Sequence, residues 1–273
     1  MTAINTNVKS LVAQQALAVN NRNLSKAMEQ LSTGKRINSA ADDAAGLSIG
    51  NKMTAQVRGM QQAVRNANDA ISMVQTVEGA LGEVTSMLQR MRELAVQSMN
   101  GTNSDADRTA MDTEYDQLAS EISRISDKTT WNGMTVGASA ETYTFQAGAA
   151  ASDTVSIDFQ DINSGLNGVS DVSTGGLTSA GAASAAIGNV DNAISAVDAY
   201  RSTLGAMVNR LNYAADNLTN VANNTAASRS RIMDTDYAAT TTELARTQII
   251  QQAATAMLAQ ANQAPSSVLA LLR

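Results

Sequence analysis

The spacing of apolar residues predicts a long α-helix over residues 45–100. Apolar side chains recur there every three or four residues, which places them on one face of a helix. At 1.5 Å per residue such a helix would extend for about 80 Å, longer than a compact domain, so we expect other long helices beside it. The apolar stripe consists of Met60, Val64, Ala67, Ile71, Val74, Val77, Leu81, Val84, Leu88, Met91 and Leu94.

Both ends of the chain carry thinner apolar stripes at the same helical spacing. The N-terminal stripe covers residues 4–31, and Gly34 predicts the end of its helix because glycine readily adopts the left-handed conformation found there. The C-terminal stripe covers residues 244–261, after a polar break that starts at Met233 and ahead of the single proline, Pro265. Helices this weakly apolar are marginal alone in water, so we expect both to need partners.

Two further helices and a hairpin are predicted between these ends. Apolar spacing predicts a helix over residues 111–125, after a polar turn, and another from 190 to 222. Residues 143–159 alternate apolar and polar positions around a Gly- and Ala-rich tip, which predicts a β-hairpin near 140–160. The Gly, Ser, Ala and Thr of residues 161–188 predict a short exposed excursion.

These elements together predict a mainly α fold. We expect a rod of long antiparallel helices with coiled-coil packing, in which the terminal helices pair and a small β-hairpin region is attached. A discontinuous domain of residues 1–44 and 234–273 would hold the terminal helices. A second domain of residues 45–233 would hold the long helices, the hairpin and the excursion.

The composition removes most kinds of chemistry. The chain has no His and no Cys, so it lacks the commonest general base and metal ligand as well as thiol nucleophiles. We therefore expect no enzyme activity, no catalytic or cofactor-binding residues and no metal site. Aromatic residues are only 3% and Met residues number 13, a composition that favours long helices packed through small and flexible side chains.

The charge distribution argues against several partners. A formal net charge of -6 without a basic stripe argues against nucleic acid. No apolar window reaches membrane-spanning length, so we expect no membrane insertion. Between Lys128 and Arg201 only acidic charges occur, and calcium binding is one interpretation of them. The D-x-D-x-D-G spacing is missing, so a solvated acidic surface is favoured.

Several long stretches resemble bacterial flagellins. They are INTNV, LSTGKRINSAADDAAGLSIGNKM, RNANDAISMVQTVEGAL, LQRMRELAVQS followed by NGTNS, the WNG turn, and the C-terminal run that ends in QQAATAMLAQANQAPSSVLALLR. The resemblance covers nearly all of residues 1–133 and 190–273. It implies a secreted subunit that polymerises with itself into the extracellular flagellar filament, with terminal helices in an inner tube and long helices in an outer tube. The short excursion implies that large outer domains are absent.

The resemblance also implies partners and assembly residues. Export would use the flagellar type III apparatus, and the partners would be an export chaperone, the filament cap protein and hook–filament junction proteins. Filament assembly would use apolar residues of both ends, including four large residues that close the chain. These assembly residues are Ile4, Val8, Leu11, Leu24, Leu31, Ile250, Met257, Val268, Leu269, Leu271 and Leu272.

A further implication concerns innate immunity. LQRMRELAV resembles the segment read by the flagellin-sensing Toll-like receptor of animals, and Arg90, Leu94 and Glu114 fall on the matching positions. Apolar Met91 and Leu94 beside Arg90 further suggest a subunit contact that such a receptor would also read. Considered without the family, Arg90 and Glu114 are ordinary exposed helix charges.

Other functions remain open at this stage. A flagellin with a metallopeptidase insert would need an H-E-x-x-H helix, which a chain without His cannot form. A hook–filament junction protein, or a surface flagellin homologue that binds a polysaccharide, would share the terminal helices. The sequence separates these from a filament subunit poorly.

Overall fold

The computed structural model describes residues 6–138, 140–166, 168–172 and 176–270, with side chains up to residue 263. The helices are α1 (Val8–Thr33), α2 (Ala44–Ser98), α3 (Asp105–Lys128), α4 (Val169–Val172), α5 (Ala180–Met233) and α6 (Tyr237–Ala270). Strand β1 (Thr130–Trp131) pairs antiparallel with β2 (Met134–Thr135), and β3 (Thr142–Gln146) pairs antiparallel with β4 (Thr154–Asp158). The predicted mainly α class with long packed helices and small strand pairs is confirmed.

Tertiary contacts divide the chain into two compact units. The first unit joins the two ends of the sequence, up to Val57 and from Asn223 onward. The second unit comprises Arg58–Ala222. Helices α2 and α5 each contribute residues to both.

In the first unit, α1 and α6 pack against each other in antiparallel directions. Asn20 contacts Thr247 near the middle of the pair, and Lys35 forms an isolated antiparallel bridge with Asp234 beyond its end. Helix α1 ends, as predicted, at Gly34, whose φ of 69° is left-handed and whose N–H donates to the carbonyl of Gln30. The predicted pairing of the two terminal segments is therefore confirmed.

The second unit is built on the apolar stripe of α2. Ten of its eleven predicted positions are buried and Val64 is partly exposed, so the helical spacing identified the core face correctly. Tyr115 and Ile122 of α3 and Val197 and Leu204 of α5 belong to the same cluster. Helices α3 and α5 each bury one side in this cluster and expose a polar side to water.

The strand pairs lie in the second unit. Asn132 and Gly133 have φ values of 48° and 80° and form the two-residue turn between β1 and β2, where left-handed residues match the twist of the strands. The predicted hairpin is confirmed as β3 and β4, with Thr142 opposite Asp158 and Gln146 opposite Thr154. The ring of Tyr143 in β3 packs edge to face on the ring of Phe159, which follows β4, with 5.6 Å between the ring centroids.

The prediction of an exposed excursion over residues 161–188 is wrong. Leu166, Val169 and Leu177 are buried, and α5 starts at Ala180 rather than at Val190. The hydroxyl of Ser98 donates to the Leu177 carbonyl at 2.8 Å, which fixes this segment to the end of α2. The composition was misleading because alanine, which is common in linkers, is also the best helix former.

The polar break before α6 is also shorter than predicted. The sequence favoured a break from Met233 through the following threonines, whereas α6 already starts at Tyr237. The Asp236 carboxylate accepts the N–H of Ala238 at 2.9 Å, and such a side chain at a helix start replaces a missing backbone acceptor.

A close approach between α2 and the end of α5 determines the packing of the first unit. A Cβ placed on Gly50 would overlap the Met233 sulfur and lie 2.7 Å from its Cγ. One turn earlier, a Cβ on Gly46 would lie 2.6 Å from Cδ1 of Ile37. The two glycines therefore form a flat face on α2 on which large side chains rest.

We predict that Gly50→Ala destabilises the chain. The added methyl must displace Met233, and such overpacking costs about 1–3 kcal/mol. Gly79→Ala is the matched control, because its Cβ would meet nothing within 4 Å on the same helix. It should raise the free energy of unfolding by about 0.5–1 kcal/mol through helix propensity. Urea unfolding followed by circular dichroism measures both, and equal shifts of the two midpoints would contradict the close packing.

Candidate assembly and recognition surfaces

Helices α1 and α6 expose the large apolar side chains that soluble helices usually bury. Val12 is 63% exposed, and Ile249 and Met257 are each 66% exposed. The buried positions of α1 are instead Ser10, Asn20 and Ala27. We call the exposed set the terminal apolar surface: Val8, Leu11, Val12, Val19, Met28, Ile249, Ile250 and Met257.

Part of this surface forms a groove between the two helices. Its volume is about 550 Å³, and its walls include Val8, Val12 and Ala16 of α1 and Met257 and Ala261 of α6. Because these side chains are almost entirely apolar, the groove offers contact area for another apolar surface and few hydrogen bonds.

Polar contacts hold α1 and α6 together. The Asn20 amide donates to the Thr247 carbonyl at 2.8 Å, and the Ser10 hydroxyl donates to the Asn262 amide oxygen at 2.8 Å. Polar pairs of this kind fix the register of two helices and add little stability compared with apolar packing. The pair is therefore specific in register and weak in apolar burial.

One of these contacts compensates for the proline in α6. Pro265 has no N–H, so the carbonyl of Ala261, four residues earlier, loses its usual helical partner. The Asn7 side-chain amide donates to that carbonyl at 2.7 Å. The Asn7 amide oxygen meanwhile accepts the N–H of Ser10 at 3.1 Å and caps the start of α1. Asn7 thus satisfies backbone groups of both helices, which accounts for the continuation of α6 to Ala270.

The structure places part of the predicted assembly set on the terminal apolar surface. Val8, Leu11, Ile250 and Met257 are exposed there, whereas Leu24 and Leu31 are half-buried. Ile4, Leu271 and Leu272 lie outside the described residues, as do the side chains of Val268 and Leu269.

Sequence reasoning omitted four members of this surface from the assembly set. They are Val12, Val19, Met28 and Ile249. Three of them, Val12, Val19 and Ile249, do not lie on the single stripe that was followed along each helix. Apolar residues on more than one side of a helix were the signal that could have found them.

The second candidate surface is a charged cluster on the second unit. The Arg90 guanidinium donates to a Glu114 carboxylate oxygen at 2.9 Å and to Glu93 at 3.0 Å. Its hydrogen bonds to Glu114 and, to a smaller extent, to Glu93 raise the pKa of Arg90. The side chains of Arg90 and Glu114 are 49% and 46% exposed, so both remain accessible to a partner. The structure therefore brings two of the three predicted recognition residues together.

The apolar part of this surface is not exposed. Leu94 is 2% exposed and Met91 is fully buried, and both belong to the core of the second unit. The expectation that they form an apolar contact beside Arg90 is therefore wrong, because the core of the second unit covers both side chains. Leu94 can influence a partner of Arg90 only by holding α2 in place.

Sequence reasoning missed a second ion pair close to this cluster. The Arg92 guanidinium donates to an Asp191 carboxylate oxygen at 2.7 Å, which joins α2 to α5 and raises the pKa of Arg92. No sequence pattern predicts this pair, because its two residues are 99 positions apart in the chain.

The described residues contain no group of three acidic side chains placed to hold a metal ion. In the same part of the chain, no helix is both long enough and apolar enough to cross a membrane.

Two family profiles match most of the chain. "Bacterial flagellin N-terminal helical region" matches residues 4–142, and "Bacterial flagellin C-terminal helical region" matches residues 187–272. A flagellin of Halalkalibacterium halodurans is 46% identical over 272 residues, which cover 99% of each chain.

A longer relative shows that this chain is short for the family. Polar flagellin F of Vibrio parahaemolyticus is 35% identical over 373 aligned residues, which cover 98% of this chain and 99% of the relative. The alignment exceeds the 273 residues of this chain by 100, so at least that many residues of the Vibrio protein have no counterpart here.

Two solved structures are also similar. The crystal structure of Bacillus cereus flagellin matches with a TM-score of 0.50 and 35% identity, over 60% of this chain and 94% of that chain. A putative flagellar hook-associated protein from Vibrio parahaemolyticus matches with a TM-score of 0.60, over 71% of this chain and 100% of that chain. Its identity of 15% shows a shared fold alone.

We predict that Asn7 and Pro265 are energetically coupled. Asn7→Ser keeps a capping hydroxyl but cannot reach Ala261, so it should cost about 0.5–1.5 kcal/mol. In a Pro265→Ala background the new N–H satisfies the Ala261 carbonyl, and the same substitution should cost less. Urea unfolding of the four proteins gives the coupling energy. Asn23→Ser, at an exposed position of α1, is the control, and equal costs of Asn7→Ser in both backgrounds would refute the compensation.

Proposed function

Because the chain belongs to the bacterial flagellin family, it is an extracellular structural subunit of the flagellar filament, and we propose that its terminal apolar surface makes the contacts between subunits. The observation that carries this proposal is the exposure of eight large apolar side chains on one helix pair. Exposed apolar patches on soluble proteins usually mark interaction sites, and Val8, Val12 and Met257 of this set line one groove.

The weakness of the α1–α6 pair supports the same proposal. Ordering a residue costs about 1–2 kcal/mol of backbone entropy, and the pair recovers little of this through Ser10, Asn20 and Ala27 alone. Contact with a second copy of the chain would add the missing apolar burial. In this proposal the assembly residues include Ile4, Val8, Leu11, Leu24, Leu31, Ile250, Met257, Val268, Leu269, Leu271 and Leu272.

We expect Met257→Asp to abolish or strongly slow polymerisation. Met257 lines the groove and is 66% exposed, so a carboxylate there is hydrated in the free chain and would be desolvated in a subunit contact. Circular dichroism of the free chain should be unchanged. Met257→Leu keeps an apolar side chain and should polymerise like the parent, as judged by electron microscopy and sedimentation. Normal filaments from the Asp variant would remove the groove from the proposed interface.

We propose a discontinuous inner-tube domain of residues 1–44 and 234–273, and an outer-tube domain of residues 45–233. The first compact unit supports this organisation, because it joins both ends of the chain, although it extends further, to Val57 and back to Asn223. The family relation also supports export through the flagellar type III apparatus, with an export chaperone, the cap protein and hook–filament junction proteins as partners. Flagellins are structural proteins, and we propose no enzyme activity for this chain.

A second proposed role is recognition by the flagellin-sensing Toll-like receptor. The accessible Arg90–Glu114 pair supports it, since exposed charged side chains steer and orient partners. Leu94 would act as a positioning residue beneath this pair. We also propose that the filament buries Arg90, so that a receptor reads a surface which assembly otherwise covers.

We predict that Arg90→Asp weakens both receptor signalling and filament assembly. The substitution places a carboxylate beside Glu93 and Glu114, whereas the exposed ion pair contributes little to folding. Arg124→Asp is the matched control, because Arg124 is also exposed and paired with a glutamate, Glu121. Depolymerised protein would be tested on receptor-expressing cells and filaments by thermal disassembly. Lost signalling with normal filament stability would show that the two surfaces are separate.

The alternative roles have weaker support. A hook–filament junction protein would share this fold, but the similarity to the hook-associated protein is limited to the fold. The 46% identity over 99% of both chains favours a filament subunit. Binding of a polysaccharide would need polar side chains converging on a pocket, whereas the groove between α1 and α6 is lined mostly by apolar residues.

A further inference from the structure

The turn between α2 and α3 contains an exposed asparagine followed by glycine. Asn100 and Gly101 are both exposed, and a Cβ placed on Gly101 would meet nothing within 4 Å. Among the described residues, neither the Asn100 side chain nor the Gly101 N–H has a hydrogen-bond partner. The two reacting groups, the Gly101 nitrogen and the Asn100 side-chain carbonyl carbon, therefore need give up no hydrogen bond of their own to approach each other.

Two donors converge on the peptide carbonyl that joins these residues. The Asn103 N–H donates to the Asn100 carbonyl oxygen at 3.2 Å, and the Arg108 guanidinium donates to the same oxygen at 3.3 Å. Arg108 also donates to the Asn103 carbonyl at 3.4 Å, which holds it over the turn. When an amide nitrogen loses its proton, negative charge moves to its carbonyl oxygen, and donors already aimed at that oxygen stabilise the anion.

Asp107, in the first turn of α3, does not oppose this effect directly. The Asp107 carboxylate accepts the Ser104 hydroxyl at 2.6 Å and the Ser104 N–H at 2.9 Å, within the cap of α3. These hydrogen bonds lower the pKa of Asp107. Its charge is thus engaged at the helix start, while the Arg108 guanidinium faces the Asn100 carbonyl.

Asn132–Gly133 provides a natural comparison. This pair is exposed too, but it forms the left-handed turn between β1 and β2, where Trp131 pairs with Met134. Ring closure between an asparagine side chain and the next nitrogen requires rotation about the asparagine backbone. The strand pairing resists that rotation at Asn132, and no strand pairing restrains Asn100.

We propose that Asn100 is a site of spontaneous deamidation. The Gly101 nitrogen gives its proton to water or hydroxide and attacks the Asn100 side-chain carbonyl carbon. The carbon–nitrogen bond of the side-chain amide then breaks, and ammonia leaves after taking a proton from water. Water opens the resulting succinimide at either carbonyl to give aspartate or isoaspartate. The balance is one water consumed and one ammonia released, and the closeness of the two groups makes the attack intramolecular.

The product would change this turn. A carboxylate at position 100 lies close to the Arg108 guanidinium, so the exposed end of α2 gains a negative charge that pairs with it. Isoaspartate also lengthens the backbone by one carbon, which would weaken the Asn103–Asn100 hydrogen bond. The modification depends on the turn alone and is independent of the proposed subunit contacts.

The test compares Asn100 with Asn132 in folded and unfolded protein. The full chain is incubated in mildly alkaline buffer with and without urea and digested with trypsin, and the peptides are analysed by mass spectrometry. Trypsin releases Asn100 in the peptide 93–108, whereas Asn132 lies in the peptide 129–201. That peptide also contains the pair Asn167–Gly168, so fragment-ion spectra are used to assign deamidation to Asn132. We expect similar rates at both sites in urea and a several-fold faster rate at Asn100 in the folded chain. A ratio unchanged by folding, or a faster Asn132, would overturn the proposal.

Two variants separate the parts of the proposed chemistry. Gly101→Ala should slow the reaction several-fold because its methyl shields the nucleophilic nitrogen, and the open space there leaves the fold intact. Arg108→Gln should lower the Asn100 rate in the folded protein, because it removes one of the two donors to the Asn100 carbonyl. The Asn132 rate is an internal control, since it rises only if a variant unfolds. An Asn100 rate that Arg108→Gln leaves unchanged, with Asn132 still protected, would overturn the role of Arg108.

Discussion

The second unit depends on the burial of one continuous apolar stripe along α2. From Val74 to Met91 the stripe residues are completely removed from solvent, and α3 and α5 supply the side chains that cover them. Burying a large aliphatic side chain contributes about 1.5–3 kcal/mol, so this stripe outweighs the exposed ion pairs around it. The charged residues of α2 therefore stand at fixed positions on its outer side, and Arg90 reaches Glu114 for that reason.

The first unit uses the opposite arrangement. Its contacts include hydrogen bonds such as Asn20 with Thr247 and side chains packed closely on glycine, such as Met233 on Gly50, while large apolar side chains of α1 and α6 remain outside. A helix pair built in this way fixes register without completing its own core. That property suits a subunit whose terminal helices gain their remaining burial from other copies of the chain.

Asn7 illustrates how local backbone chemistry connects these features. The proline in α6 leaves the Ala261 carbonyl without its helical partner, and a side chain from the opposite end of the sequence occupies it. The same asparagine starts α1. Burying an unpaired backbone group costs free energy, and Asn7 pairs one such group in each helix: the Ala261 carbonyl of α6 and the Ser10 N–H of α1.

The sequence by itself determined the helical elements, the hairpin, the end of α1 at Gly34 and the family. These features follow from periodicity, from glycine's backbone freedom and from long collinear matches, all of which are local properties of the chain. Tertiary structure alone decided that Leu94 is buried while Arg90 is exposed, and that Leu166, Val169 and Leu177 are packed rather than free. It also decided which polar partners meet, such as Asn7 with Ala261 and Arg92 with Asp191. Periodicity shows which side of a helix is apolar. Whether a side chain on it is buried depends on the residues that pack against it, and these come from distant segments of the folded chain.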